Sequence, residues 1–299
     1  MENNHIYTDL ALEEREKFED DVEISGVVVE SDYDRSCDMT TTLVKIVNEN
    51  GEKQMGKPIG TYITLESARL KDIDSQDNRK IIKKLSRVIE SIIGKKERIL
   101  IVGLGNAYAT PDALGPRVAE KIVCGETTYC IAPGVLAQTG MESSTIIKGI
   151  VEQISPDAVI VIDSLAARNV RRITTTVQLT DTGITPGSGV QNHRVALNRE
   201  TLGCPVVAIG VPMVVSGATI VSDTVERLMH IVKSINENNE IARVLSQYSA
   251  DEKYNLFEEL LSEETEQMFV TPKDVDEIVT NISNLIAAAI NEFTLKSMH

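Results

Sequence analysis

The sequence of 299 residues has no tryptophan, only 4% aromatic residues, and far fewer basic than acidic side chains. It contains no run of 18 apolar residues, which argues against a transmembrane helix, and its acidic start lacks the features of a signal peptide. With 30 Lys and Arg against 45 Asp and Glu, the formal charge is −15, and bulk charge does not favour binding to nucleic acid. We therefore expect a cytoplasmic protein without nucleic-acid or membrane partners.

The four cysteines are scattered and have no CxxC spacing, so they indicate neither a disulfide framework nor a zinc knuckle. We interpret all of them as reduced thiols: Cys37, Cys124, Cys130 and Cys204. Apolar residues make up 42% of the chain, which is ample for a packed core and rules out intrinsic disorder over most of its length.

The first third of the chain predicts β-structure added in front of the main fold. Apolar segments at 22–30, 41–47 and 58–66 indicate three short strands, and the Asn-Gly pair within 48–57 predicts a turn. Residues 76–93 then carry apolar side chains at helical spacing, which predicts a helix.

From residue 98 onward, apolar strands alternate with helices, the pattern of a parallel sheet covered on both faces. The predicted strands lie at 98–106, 128–133, 158–163, 173–179 and 205–211. The predicted helices lie near 111–123, 144–154, 222–235 and after the capping residue Thr271. The expected fold class is α/β, with a mostly parallel central sheet covered by helices and with N-terminal β additions.

We expect a single α/β domain over residues 16–299, preceded by an acidic tail over 1–15. Residues 236–268 are polar and acidic, and we interpret them as a surface segment of that domain. The first 23 residues hold nine acidic and two basic side chains. A solvated tail is the simplest interpretation of this charge.

The strand at 98–106 runs into the turn GLGN, which is the start of a dinucleotide-binding fingerprint. The third glycine of that fingerprint would fall where Tyr108 stands, so a nucleotide-binding module is only an alternative. Thr110 predicts a helix N-cap and Pro111 the first turn, which places Asp112 at the positive end of a helix dipole. The carboxylate of Asp112 either merely complements that dipole or belongs to a site.

Asp163 is the first polar residue after the apolar strand AVIVI, which places its carboxylate at the same edge of the sheet. A turn or helix cap is the alternative role for this residue. If Asp112 and Asp163 face each other across one crevice, they could share a proton or bind a divalent cation. Since either arrangement activates water, the pair indicates hydrolysis.

Three glycine-rich loops lie near the same edge, where backbone amides could approach a ligand closely. Ordinary turns between strands and helices are the alternative. The candidate substrate-binding or oxyanion residues are Gly134, Gly187, Gly189 and Arg168. His193 could complete a metal site with two aspartates, but a surface histidine is the alternative, and we assign no metal ligand.

A longer series of motifs resembles one known family. GLGN, TPDALGP, APGVLAQTGMES, VIDSLAAR, PGSGV, ETLGCPVVAIGVPMVV and SDT, within residues 7 to 293, are similar to motifs of the spore germination proteases. These endopeptidases degrade small acid-soluble spore proteins when spore-forming bacteria germinate. The fold of the family resembles that of the hydrogenase maturation proteases, in which two carboxylates and a histidine bind nickel.

The resemblance implies that Asp112, in TPDALGP, and Asp163, in VIDSLAAR, are the catalytic pair of an atypical aspartic protease. One carboxylate would act as the base on water and the other as the acid. The sequence around His193 does not match the histidine motif of the maturation proteases. We therefore expect no cofactor, with a divalent metal at the two aspartates, as in a maturation peptidase, as the alternative.

The resemblance also gives the acidic start a function. The family is made as a zymogen whose N-terminal propeptide is removed by self-cleavage, at a site that resembles the acidic and apolar sequences of its substrates. Residues 7–13 fit that place, and we predict cleavage between Asp9 and Leu10. The family further implies a homotetramer in the cytoplasm of the forespore and in the spore core.

Overall fold

A computed structural model describes residues 8–16, 18, 24–71, 75–186, 195–235, 248 and 268–297. Within these ranges the strands join in one nine-stranded sheet, in the order β1-β2-β3-β7-β8-β6-β4-β5, with β9 paired to β8. The strands are β1 (Val27–Asp34), β2 (Met39–Ile46), β3 (Gly60–Glu66), β4 (Ile99–Gly103), β5 (Thr128–Ile131), β6 (Ala158–Ala167), β7 (Thr176–Thr180), β8 (Val206–Ser216) and β9 (Phe269–Val270).

The four strands β5, β4, β6 and β8 are parallel and form the centre of the fold. The predicted N-terminal additions β1, β2 and β3 form an antiparallel meander, which joins the same sheet through β7. The expected α/β class is thus confirmed, as a large mixed sheet flanked by helices. Strand β7 runs antiparallel to β8 because the short connection from β6 is too brief for the crossover that a parallel strand needs.

The helices are α1 (Ala11–Arg15), α2 (Glu49–Met55), α3 (Ser75–Ile93), α4 (Leu114–Ala119), α5 (Leu136–Thr139), α6 (Ser143–Ile154), α7 (Arg199–Leu202), α8 (Gly217–Ile235) and α9 (Val275–Ser297). The predicted helices at 76–93 and 144–154 are confirmed by α3 and α6. Helix α9 starts later than expected because the hydroxyl of Thr271 does not cap it but donates to the carbonyl oxygen of Met213 at 2.9 Å.

The predicted Asn-Gly turn within 48–57 is wrong, because this segment forms helix α2. The side chain of Asn48 accepts a hydrogen bond from the amide of Gly51 at 3.0 Å and so caps the helix. Gly56 ends the helix in the left-handed conformation, with φ of 60°. Asn48 and Gly56 therefore mark the two ends of a short helix, and the segment does not join two strands by a direct turn.

Two apolar clusters cover the faces of the parallel strands. On one face, side chains of β4, β6 and β8 pack against helices α3, α4 and α9. On the other face, the alternating residues of the same strands pack against α6 and α7. Because both faces are covered, the carboxyl ends of the central strands are the part of the sheet where polar groups can collect.

Helix α9 is the one helix among the described residues that is long and apolar enough to cross a membrane. Of its apolar window, 67% is buried inside the protein, as in a core helix. Its predicted apolar stripe faces the core, with Ile282 and Ile290 fully buried. All four cysteines lie within the described residues and are free thiols, as the sequence predicted.

The packing of α4 against the sheet depends on two glycines in direct backbone contact. A Cβ atom added to Gly103, at the end of β4, would lie 2.1 Å from the carbonyl oxygen of Gly115. A Cβ atom added to Gly115 would lie 2.2 Å from the carbonyl oxygen of Leu104 and 2.7 Å from that of Ile162. Since these neighbours are backbone atoms, neither position can accept a side chain without a shift of the sheet or the helix.

We expect Gly115→Ala to lower the free energy of unfolding by at least about 2 kcal/mol, because the added methyl group overpacks a rigid contact. Gly125→Ala is the matched control, since a Cβ atom there has no neighbour within 4 Å. The control should change stability by less than about 0.5 kcal/mol. Urea unfolding followed by circular dichroism measures both, and equal stabilities would contradict the contact.

Candidate active site

The candidate site lies where neighbouring strands end at different heights. Strand β4 ends at Gly103, which pairs with Ile162, whereas β6 continues to Ala167 alongside β8. Asp163, paired with Gly210, is therefore the first residue of β6 with no partner on β4. The prediction that the strand ends at Asp163 is wrong: β6 extends because β8 remains beside it and continues the pairing.

The side chain of Asp163 is buried and accepts a hydrogen bond from the amide of Ser164 at 2.9 Å. Asp112 reaches the same region from the loop between β4 and α4. Its Oδ2 atom accepts a hydrogen bond from the amide of Asn106 at 2.8 Å, and its carbonyl oxygen accepts from the same amide at 3.1 Å. Both carboxylates are thus held by backbone donors next to the end of β4.

The predicted helix at 111–123 is shorter than expected. Residues Thr110–Asp112 form a single 3-10 turn, and α4 itself begins at Leu114. The hydroxyl of Thr110 does not cap the helix but donates to the carboxylate of Asp276 at 2.8 Å. Asp112 therefore lies in the turn before α4, where the loop and not the dipole of the helix positions its carboxylate.

The glycine-rich turn GLGN folds onto Asp112 instead of opening towards a ligand. Gly105 has φ of 113°, and a Cβ atom there would lie 2.0 Å from the carbonyl oxygen of Asp112. The amide of Leu104 donates to Ile162, and that of Asn106 donates to Asp112. Because these donors are engaged within the protein, the turn does not present them to a phosphate group, which counts against the nucleotide-binding alternative.

Asp112 and Asp163 line one cavity of about 390 Å³, as the sequence predicted from their positions. Apolar side chains make up much of its wall, among them Leu104, Val135 and Phe269. Two carboxylates in a partly apolar cavity can activate water as an acid and base pair, since each can hold the proton that the other releases.

The other predicted residues are placed as follows. Gly134 precedes the lining residue Val135, and its carbonyl oxygen accepts a hydrogen bond from the hydroxyl of Ser143 at 3.0 Å. Arg168 is not among the residues that line the cavity. Three further predicted positions and most of the segment 236–268 lie outside the described residues: Gly187, Gly189 and His193.

The N-terminal segment lies in the site, with Asp9 lining the same cavity as Asp112 and Asp163. Asp9 pairs with Ala166 on the extended part of β6: the amide of Ala166 donates to the Asp9 carboxylate at 2.8 Å, and the amide of Asp9 donates to the Ala166 carbonyl at 3.3 Å. On the preceding residue, the carbonyl oxygen of Thr8 accepts from the ammonium group of Lys57 at 2.7 Å.

The residues after Asp9 are buried, which contradicts the solvated-tail alternative for this part of the segment. Leu10 and Ala11 are fully buried. Leu10 packs against Leu165, Ile173 and other apolar side chains of the extended strands. The predicted cleavage site therefore has an acidic side chain in the cavity and an apolar side chain beyond it.

Glu13 anchors the segment further along. Its buried carboxylate accepts hydrogen bonds from the amides of Arg168 at 2.7 Å and Asn169 at 2.9 Å, and from the hydroxyl of Thr8. The guanidinium of Arg172 lies 3.4 Å from the same carboxylate. The sequence indicated none of these contacts, and those with Arg168 and Asn169 join residues more than 150 positions apart.

Arg172 is shared among three carboxylates, since it also forms a two-point contact with Glu16 at 2.6 and 2.7 Å and contacts Glu66 at 2.9 Å. One positive charge therefore faces three negative charges. Burial raises the pKa of Glu13, whereas its hydrogen bonds and the shared guanidinium lower that pKa. The effect of burial is the larger, so the pKa of Glu13 lies above its ordinary value.

Among the described residues, the side chains around Asp112 and Asp163 do not supply enough metal-binding atoms for a metal site. Within those residues there is no group of three or more His, Cys, Asp or Glu side chains that could hold a metal ion. Two carboxylates alone are a small donor set for a transition metal, which in proteins usually takes nitrogen or sulfur ligands as well.

Proteins of known family with similar sequences all point to one family. Residues 4–250 match the family model described as germination protease. The germination protease of Caldanaerobacter subterraneus subsp. tengcongensis is 41% identical, over 96% of this chain and 93% of the relative. That of Clostridium acetobutylicum is 39% identical, over 96% and 94%. The [NiFe] hydrogenase maturation protease HycI from Thermococcus kodakarensis covers 68% of this chain and 98% of its own, with 19% identity and a TM-score of 0.38.

The family model and the similar sequences define the protein as a hydrolase, and within the hydrolases as an endopeptidase. The chain belongs to the germination protease family, which confirms the resemblance seen in its motifs.

We expect the N-terminal segment to dock more tightly as the pH falls. In the docked state the pKa of Glu13 lies above its ordinary value, so docking takes up a proton, and docking weakens as the pH rises through the raised pKa. Hydrogen exchange of residues 8–16 in the Asp112→Asn variant, followed in a pH series that begins near the ordinary pKa of a glutamate and corrected for the intrinsic exchange rate at each pH, measures this protection. Glu13→Gln in the same background should remove most of the pH dependence of docking. If the pH dependence is unchanged in this variant, a group other than Glu13 is responsible for it.

Proposed function

We propose that this endopeptidase degrades small acid-soluble spore proteins during germination and that Asp112 and Asp163 activate the attacking water. The observation that supports the proposal is the lining of the cavity. Asp9, from a segment of the chain itself, lines the same cavity as the two aspartates, and the buried apolar residue Leu10 follows it. A site that holds peptide backbone next to paired carboxylates is suited to hydrolysing that backbone.

The reaction follows from the chemistry of the pair. One ionised carboxylate takes a proton from water as the oxygen adds to the carbonyl carbon, and the other, protonated carboxyl group gives a proton to the leaving nitrogen. The bond between carbon and nitrogen then breaks, leaving a new carboxyl group and a new amino group. No bound metal takes part in this proposal, and a chelator should leave the activity unchanged.

The N-terminal segment supports a zymogen. In this proposal, the enzyme cuts the bond between Asp9 and Leu10 in itself, and the propeptide that leaves is the part of the acidic tail of residues 1–15 that precedes Leu10. Residues on both sides of this bond are held by main-chain contacts with β6 and by buried packing. While this segment is paired with β6, a substrate chain would be unable to pair with the same part of the strand.

The contacts of the segment also describe the expected substrate. An acidic residue would bind the amide of Ala166, a following apolar residue would enter the pocket of Leu10, and a second acid would bind where Glu13 does. Short acidic and apolar sequences of this kind fit the proposed spore-protein substrates. We further propose a homotetramer that acts in the cytoplasm of the forespore and in the spore core, without membrane or nucleic-acid partners.

We expect Asp112→Asn and Asp163→Asn to fold normally and to lose at least about 10³-fold in both self-cleavage and cleavage of spore proteins, because each removes one half of an acid and base pair. Intact mass and N-terminal sequencing after incubation at mildly acidic pH measure self-cleavage. Asp32→Asn, on the exposed edge strand β1, is the matched control and should be processed at the wild-type rate. Normal processing of both site variants would exclude the proposed pair.

N-terminal sequencing of the processed wild-type protein should give Leu10 as the first residue. We expect Asp9→Ala to slow processing by about 10-fold or more, because the contact of a charged side chain with the Ala166 amide contributes about 1.5–3 kcal/mol. Asp32→Ala, on the exposed edge strand β1, should have little effect. A first residue other than Leu10 would show that a different bond is cut.

A further inference from the structure

A glutamine on β7 holds the backbone on both sides of the predicted cleavage site. Gln178 pairs with Gly210 on β8, and Gly210 pairs in turn with Asp163 on β6. The three residues thus form one row across the sheet, with Asp163 and Gln178 separated by two strand spacings, about 10 Å between Cα atoms. Gly210, which lies between them, has no side chain. Asp9 lines both the cavity that contains Asp163 and a second cavity that contains Gln178.

The carboxamide of Gln178 is buried and makes two hydrogen bonds to the segment. Its Nε2 group donates to the carbonyl oxygen of Asp9 at 3.1 Å, and its Oε1 atom accepts from the amide of Ala11 at 2.7 Å. Since an amide can only donate, the contact with Ala11 fixes which end of the carboxamide is the oxygen. The nitrogen must therefore face the Asp9 carbonyl, which is the carbonyl of the predicted scissile bond.

We propose that Gln178 is a further catalytic residue, which stabilises the negative charge on the scissile carbonyl oxygen. The inference rests on the proposed function, and specifically on cleavage between Asp9 and Leu10. As water adds to the carbonyl carbon, the electron pair of the C=O bond moves onto the oxygen, and the Nε2 group donates to it. When the bond to the Leu10 nitrogen breaks, the pair returns to form the carbonyl of the new carboxyl group.

The chemistry of the site favours a neutral donor for this role. An ionised aspartate would repel a developing oxyanion, so the water-activating carboxylate cannot also stabilise that charge. A carboxamide donates without a change of protonation, and its second contact with Ala11 keeps it aimed at the carbonyl. Lys57, the nearby cation, instead binds the preceding carbonyl, that of Thr8.

Two substitutions of Gln178 separate its hydrogen-bond donation to the Asp9 carbonyl from its role in positioning the segment. Gln178→Met removes both hydrogen bonds at similar volume, whereas Gln178→Glu keeps an acceptor for the Ala11 amide and, when ionised, has no donor for the Asp9 carbonyl. Thr64→Val is the matched control, because Thr64 is buried opposite Gln178 in the register of β3 and β7. Its hydroxyl has no hydrogen-bond partner, so the control removes a buried polar group without touching the segment.

The experiment follows the first-order rate of self-cleavage in the full chain by intact mass, with hydrogen exchange of residues 8–16 as the measure of docking. Gln178→Glu should slow cleavage by about 10²-fold or more while the segment stays docked, as expected for loss of one oxyanion donor. Its rate relative to wild type should rise as the pH falls, because a protonated glutamate can donate again. Thr64→Val should cleave at the wild-type rate.

Each outcome decides a different question. If wild-type protein is not cut after Asp9, the proposed cleavage site is wrong, and this inference is overturned with it, while the proposed function is decided separately by the two aspartate variants. If wild-type protein is cut there but both Gln178 variants match its rate with the segment docked, only the role of Gln178 is overturned. In a third outcome, residues 8–16 are no longer docked in either variant, and the cleavage rate of Gln178→Glu does not recover at low pH. Gln178 then only positions the segment, and the proposal is overturned.

Discussion

The site depends on one backbone contact, that of Gly103 with Gly115. Because neither residue has a side chain, α4 lies directly against the end of β4, and the loop between them has to fold back tightly. That loop carries Asp112, whose backbone and carboxylate both bind the amide of Asn106. Close packing of backbone atoms therefore sets the position of the Asp112 carboxylate relative to the sheet and to Asp163. Such a contact is more rigid than one made by a flexible side chain.

The docked N-terminal segment combines strong contacts with an electrostatic cost. Apolar burial of Leu10 and Ala11 and pairing with β6 favour docking. Against this, three carboxylates share the single guanidinium of Arg172, and burial disfavours the charged form of Glu13. Such a segment is held firmly yet remains sensitive to protonation, a combination that suits the propeptide proposed above.

Much of the fold could be predicted because apolar patterns report burial directly. The alternation of strands and helices, and the apolar stripe of α9, follow from which side chains avoid water. The errors lie where local and tertiary preferences compete. Asn50 and Gly51 have turn chemistry, yet they lie inside helix α2, and β6 continues past Asp163 because β8 supplies its partners. Neither outcome can be decided from the segment alone.

The sequence by itself determined the α/β class and the family. It also predicted that Asp112 and Asp163 lie at one edge of the sheet, the first from the start of a helix and the second from the end of an apolar strand. Only the tertiary structure placed Asp9 beside them and assigned partners to Gln178 and Glu13. Those contacts join residues that are far apart in the chain, and a glutamine in a strand carries no local sign of what it will face. Which groups meet across the cavity is decided by strand order and register, which local sequence patterns do not encode.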